Sequence, residues 1–153
     1  MDTRMYPQGT GTAKPVYVDG VLVEPGLPKQ LRIRKTIAEI NAGTTLLAAI
    51  RGFKYRITDI AIVALGGTTA GATSLDVKGV SGGSAVIILS ALIAGLTRSR
   101  MLRMGEATNG VILADGASFV AMDANTAITA IKAGSDFSGA THFDFLVDYV
   151  VEA

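Results

Sequence analysis

Cysteine and tryptophan are missing from this chain of 153 residues, histidine occurs once, and charged side chains make up only 18% of it. Each shortage excludes something. Without cysteine there is no disulfide framework, no thiolate nucleophile and no cysteine-ligated metal. A single histidine, His142, leaves no histidine-rich metal cluster and only one imidazole for a Ser-His-Asp triad. With no tryptophan and four tyrosines, the chain lacks the aromatic platform that sugar-binding sandwiches and single-strand nucleic-acid binders use. The charge deficit, against a usual share of about 25%, leaves less charged surface than a free-floating domain carries. Self-association and partner-covered surface are the expectation that follows.

The charges that are present nearly cancel, with 14 Lys and Arg against 13 Asp and Glu, which argues against a nucleic-acid binder. They are unevenly placed. The first sixty residues are basic on balance and the remainder acidic, so the first part could dock on an acidic neighbour or form solvated strand faces. The longest uncharged run, Gly79 to Thr97, opens with glycine and serine, and only Ala85 to Leu96 is strongly apolar. That pattern reads as buried core, and no membrane span is expected. The start, Met1-Asp2-Thr3-Arg4, is not that of a signal peptide.

Chemistry-bearing constellations are absent at the level of spacing. Asp144 and Asp148 share a strand with His142, no Gly-x-Ser-x-Gly turn is present, and catalysis through His142 is not expected. Gly66-Gly67-Thr68-Thr69-Ala70-Gly71 lacks the Lys-Ser/Thr ending of a phosphate loop, so its glycines read as turn glycines. Asp115, Asp123 and Asp136 fall in separate segments without a calcium-loop spacing. No cofactor or metal is expected.

What the chain does contain is strands. Residues 1–14, with Gly9-Thr10-Gly11-Thr12, read as an arm that cannot fold alone and lies on another surface. Residues 15–24 read as a hairpin about Asp19-Gly20, ended by Pro25 and Pro28. Leu31, Ile33 and Ile37 alternate with Arg32, Arg34 and Thr36, a half-buried strand. Thr44 to Ile50 is a short strand or turn of helix. In Phe53 to Leu65 a single parity joins Tyr55, Ile57, Ala61, Val63 and Leu65, interrupted by Asp59. Strands are also predicted over Thr73 to Val80, Arg98 to Met104, Val111 to Leu113, Phe119 to Met122, Ala127 to Ala133 and Phe143 to Val151. Val86 to Leu96 is ambiguous between strand and short helix, with Val86 to Leu89 read as strand. Asn109-Gly110, Asp115-Gly116 and Asp123-Ala124-Asn125 are turns.

No convincing amphipathic helix interrupts this series, so the expected fold is all-β, an antiparallel jelly-roll-like sandwich over residues 15–153 with an N-terminal arm. One internal echo stands out. Thr69-Ala70-Gly71-Ala72-Thr73-Ser74-Leu75-Asp76-Val77 is answered by Phe137-Ser138-Gly139-Ala140-Thr141-His142-Phe143-Asp144-Phe145. These read as equivalent loop-to-strand corners in two sheets, or as coincidence in a chain rich in small residues. Arg98, Arg100 and Arg103 form the notable charge cluster, with Arg98 and Arg100 on one strand face. They serve either as a docking strip for acidic protein or as charge guarding an edge strand.

From about Ile33 onward, several stretches carry a resemblance. They are Thr36-Ile37-Ala38-Glu39-Ile40-Asn41-Ala42-Gly43-Thr44-Thr45-Leu46-Leu47, Tyr55-Arg56-Ile57-Thr58-Asp59, Leu113-Ala114-Asp115-Gly116-Ala117-Ser118-Phe119, Asp123 to Thr129, and the ending Asp148 to Ala153. In these the chain resembles the head decoration, or cement, proteins of tailed bacteriophages. The resemblance implies a jelly-roll-like sandwich that forms a homo-oligomer, a trimer, and clamps neighbouring major capsid protein subunits on the outside of the virion. No catalytic residue comes with it. The expected capsid contacts are Arg4, Tyr6 and Lys14 of the arm with Arg98, Arg100 and Arg103. A receptor- or glycan-binding module of a tail or fibre is the alternative, and a small hydrolase or isomerase with a cleft near His142 a third.

Overall fold

The computed structural model describes residues 14–98, 100–104, 111–113 and 119–153. They form an antiparallel all-β sandwich with a separate hairpin. The hairpin pairs β1 (Val16–Val18) with β2 (Val21–Val23). One sheet contains β3 (Lys29–Thr36), β5 (Lys54–Leu65), β8 (Met101–Arg103) and β11 (His142–Glu152), in the order β3-β11-β5-β8. The other contains β4 (Thr44–Leu47), β6 (Ala70–Ser81), β7 (Ser84–Leu92), β9 (Val111–Leu113) and β10 (Ile128–Ser138), in the order β4-β10-β6-β7-β9. A short helix, α1 (Ile37–Ala42), and a 3-10 turn (Ile93–Gly95) complete the elements.

The hairpin forms where Asp19-Gly20 predicts it, with both residues at positive φ (49° and 81°), as a tight primed turn requires. The β3 strand differs from expectation at its end. Ile37 does not continue the alternation but opens α1, because Thr36 builds a capping box: its hydroxyl accepts from the Glu39 amide while the Glu39 carboxylate accepts from the Thr36 amide. The helix is six residues long, too short to show a helical period, which is why apolar spacing misses it. It carries the chain from one sheet to the other and is pinned by Asn41, whose side chain both donates to the Phe137 carbonyl and accepts from the Phe137 amide.

In β5 the expected parity holds for Tyr55 and Ile57 and then switches. Asp59 pairs with Asp148 but Ile57 with Tyr149, so Thr58 is an extra residue, and beyond it Ile60, Ile62 and Ala64 face inward. Val63 and Leu65 are only half buried. Ala61, though outward in register, is covered. The Asp59 that interrupts the sequence pattern marks this bulge. The β4 strand stops at Leu47, while β7 runs from Ser84 to Leu92 and β10 to Ser138, longer than the patterns suggest. The basic strand shrinks to Met101–Arg103, with Arg98 in an isolated parallel bridge to Ala64. Phe119 to Met122 is not a strand. Phe119 sits in a turn at φ 65° and only Ala121 makes a bridge, to Arg56. The turns expected at Asn109-Gly110 and Asp115-Gly116 lie outside the described residues, as does the arm apart from Lys14.

Pairing is nested. The β3 strand lies beside β11, β4 beside β10, β5 beside β8, and β6 beside β7, as when one long hairpin is rolled up. Between the sheets lies one core, centred on Phe143 and Phe145 of β11 with Ile40, Ile60, Leu75, Leu89, Leu102 and Ile128, all at most 1% exposed. Phe137 meets Phe143 edge to face across it.

Candidate protein-docking face

The alternation that buries Phe143, Phe145 and Val147 sends Asp144, Leu146 and Asp148 to the outer face of the four-stranded sheet. Register sets their neighbours. One row across the sheet is Arg34, Asp144, Val63 and Met101; the next is Arg32, Leu146, Ala61 and Arg103; a third is Gln30, Asp148 and Asp59. Together they make a surface with an apolar centre, a shallow cleft of about 320 Å³ over Ala61, Val63, Met101 and Leu146, with Arg32 and Asp144 on its wall.

Charged pairs frame that centre. Asp144 accepts two hydrogen bonds from Arg34, at 2.7 and 3.0 Å, and one from Arg32 at 2.7 Å. Donation by Arg34, reinforced by Arg32 and opposed by burial, holds the Asp144 carboxyl at about 2, well below its usual value. Arg103 donates to Asp59 at 2.8 Å, and Gln30 to Asp148 at 2.8 Å. Asp144 is nearly buried while both of its arginines are more than half exposed. The carboxylate therefore fixes two guanidinium groups that stay more than half exposed, an arrangement suited to acidic side chains and carbonyls of another protein.

Of the residues expected to make contacts, Arg103 belongs to this face. Arg98 and Arg100 lie in the segment that leads into β8 at the sheet's edge, but not on one strand with it: Arg98 donates its amide to Thr68 Oγ1, and Arg100 precedes β8 in a turn. Lys14 is exposed at the start of the hairpin, and Arg4 and Tyr6 lie outside the described residues. Arg32 and Arg34 are the contributors that residue spacing passes over. On sequence they look like the solvated face of a strand, and nothing local reveals that Asp144, more than a hundred positions away, gathers them.

His142, which opens β11, has Nδ1 2.9 Å from Thr141 Oγ1, and the nearby Asp144 is engaged by the arginines. Asp123 accepts from the Gly82 and Gly83 amides, and Asp136 pairs with Lys132, so both serve local structure. Among the described residues no group of three or more His, Asp or Glu is placed to hold a metal ion. No described helix is long and apolar enough to cross a membrane. Comparison with protein families, with curated proteins and with solved structures finds no match for this chain.

Proposed function

We propose that this protein is a phage-head decoration, or cement, protein: a non-catalytic virion component that self-associates, as a trimer on the family resemblance, and bridges major capsid protein subunits on the outer surface of the shell. The observation that carries the reading is the outer face of the four-stranded sheet, where Val63, Ala61, Leu146 and Met101 are ringed by Arg32, Arg34 and Arg103. Apolar centres with arginine-bearing rims are the anatomy of protein interfaces. Arg98 and Arg100, both exposed at the adjoining edge, add positive charge, which favours an acidic shell surface. The nested strand pairing supports the jelly-roll form of the sandwich, an architecture found in capsid and lectin proteins alike.

Packaged DNA pulls the joints of a capsid apart. A contact that stabilises each joint by only ~25 cal/mol per Å2 of apolar area becomes effective when repeated over the shell. The glycan-binding alternative asks for clustered exposed aromatics, whereas among the described residues the exposed aromatics Tyr17 and Phe119 sit on the hairpin and beside Arg56 respectively. The test is co-sedimentation of the purified protein with undecorated heads across a salt series. Binding that weakens with salt is expected. Absence of co-sedimentation at low salt overturns the reading.

A further inference from the structure

Of the ten large apolar side chains that stand exposed among the described residues, six gather at one end of the molecule: Val16, Tyr17, Val21, Leu22, Leu27 and Leu31. The first four belong to the hairpin, whose strands pair with each other and with neither sheet of the sandwich. Register places Val16 opposite Val23 and Val18 opposite Val21, and it is this side that packs inward, with Val23 buried and Val18 against the core. Tyr17 and Leu22 pair on the other side, 76% and 48% exposed. Beside them opens a cleft of about 250 Å³ lined by Leu31, Leu46, Ile50, Tyr55, Tyr149 and Val151. A two-stranded ribbon is marginal by itself in water, and an apolar one with an outward Tyr-Leu pair is more so.

We infer that this hairpin end is the surface through which the chain binds a second copy of itself, the Tyr17–Leu22 side of one copy lying against the hairpin-and-cleft end of its neighbour. Charge selects the occupant. Around this end two ion pairs, Arg51 with Asp19 and Lys29 with Glu24, balance and leave Lys14 beside the hairpin, so a second copy meets little excess of its own sign. The docking face described above is different: with Arg98 and Arg100 it holds more arginine than aspartate, which disfavours a copy of this chain there and leaves it for an acidic partner. The edges differ likewise. The β3 edge is guarded by Lys29, Arg32, Arg34 and Lys35, whereas between Val16 and Val23 the hairpin has Asp19 as its sole charge, at the turn.

The inference deepens the proposed function, because it rests on self-association and says where it occurs. The experiment is the solution mass of the full chain by sedimentation, for the native sequence, for the double variant Tyr17→Asp/Leu22→Asp, and for Ile87→Asp, which places a single charge of the same sign on an exposed apolar site of the five-stranded sheet. The native chain and Ile87→Asp are expected at a multiple of 15.8 kDa, and the double variant at 15.8 kDa with an unchanged far-ultraviolet spectrum. Hydrogen exchange of the Val16–Val23 amides in the native chain, slowing as concentration rises, supports the same contact without a substitution. A double variant that keeps the native mass overturns the inference, as does a native chain that stays monomeric or exchange that ignores concentration. Native assembly lost in the double variant, with no binding to undecorated heads by either, upholds the hairpin contact and removes the capsid reading alone.

Discussion

Asp76 holds the position in the five-stranded sheet that Asp144 holds in the four-stranded one: Asp76 pairs with Ile131 as Asp144 pairs with Val63, and the flanking pairs follow at the same offset in the chain. Leu75 with Lys132 corresponds to Phe143 with Ala64, and Val77 with Ala130 to Phe145 with Ile62. The β6–β10 and β11–β5 pairs of the two sheets thus share one register. The surroundings of the two carboxylates have diverged. Arg32 and Arg34 hold Asp144, while the hydroxyls of Ser74 and Ser90 both donate to one oxygen of Asp76. One site presents cations outward and the other does not, which gives the two outer faces different chemistry.

Because folding lowers the Asp144 pKa from 3.8 to about 2, its carboxylate stabilises the native state above about pH 4, and that contribution fades as pH falls toward 2. The full shift corresponds to about 2 kcal/mol, and less is expected because the exposed arginines are screened. Asp144→Asn should lower stability by about 1–2 kcal/mol at pH 7 and flatten the curve between pH 4 and 2. Urea unfolding at several pH values measures both effects.

Burial raises the Tyr55 hydroxyl to about 12, and its proton is donated to the Ala48 carbonyl at 2.6 Å. The unfolded chain ionises this group first, so the associated stability is intact below about pH 10 and declines as pH rises toward 12. Replacement by phenylalanine should cost about 1 kcal/mol at neutral pH and remove a phenol ionising near pH 12 from an ultraviolet titration.

The echoed glycines give a sharp steric test. A β-carbon on Gly139 would overlap the Thr68 carbonyl oxygen, and one on Gly71 the Asp136 carbonyl oxygen, with both residues at positive φ. Gly139→Ala and Gly71→Ala should each destabilise by about 2 kcal/mol or more, since neither backbone can yield without loosening the corner between the sheets. Similar losses from the two variants in thermal or urea melts would mark the corners as equivalent.

Met101→Asp puts a charge into the apolar centre of the docking face at a residue that is 44% exposed. The unfolding midpoint should barely move, while affinity for undecorated heads should fall at least roughly tenfold, the effect of ~1.4 kcal/mol at an interface core. A binding curve by sedimentation checks it.

Local pattern carried much of the strand content. The Asp19-Gly20 turn, the alternation from Phe143 to Val147, and the Gly-Ala-Thr echo were each readable, because strand period and turn chemistry are short-range properties. Where the reading failed, a long-range partner or a single side-chain bond decided the outcome. The Glu39 bond to Thr36 turned Ile37 into helix, and pairing with β11 inserted the bulge that reversed the parity of β5. The docking face was legible only through Arg103. Arg32 and Arg34 became a site by meeting Asp144.

By itself, then, the chain's order of residues determined an antiparallel all-β protein without thiol chemistry, poor in charge and punctuated by turns, since those features follow from composition and from neighbours a few positions apart. Only the tertiary structure decided which strands adjoin, that two aspartates answer each other across the sandwich, and that an apolar hairpin and an arginine-framed face stand at separate places on its surface. Register between distant strands governs all three, and register depends on how every strand packs against the shared core.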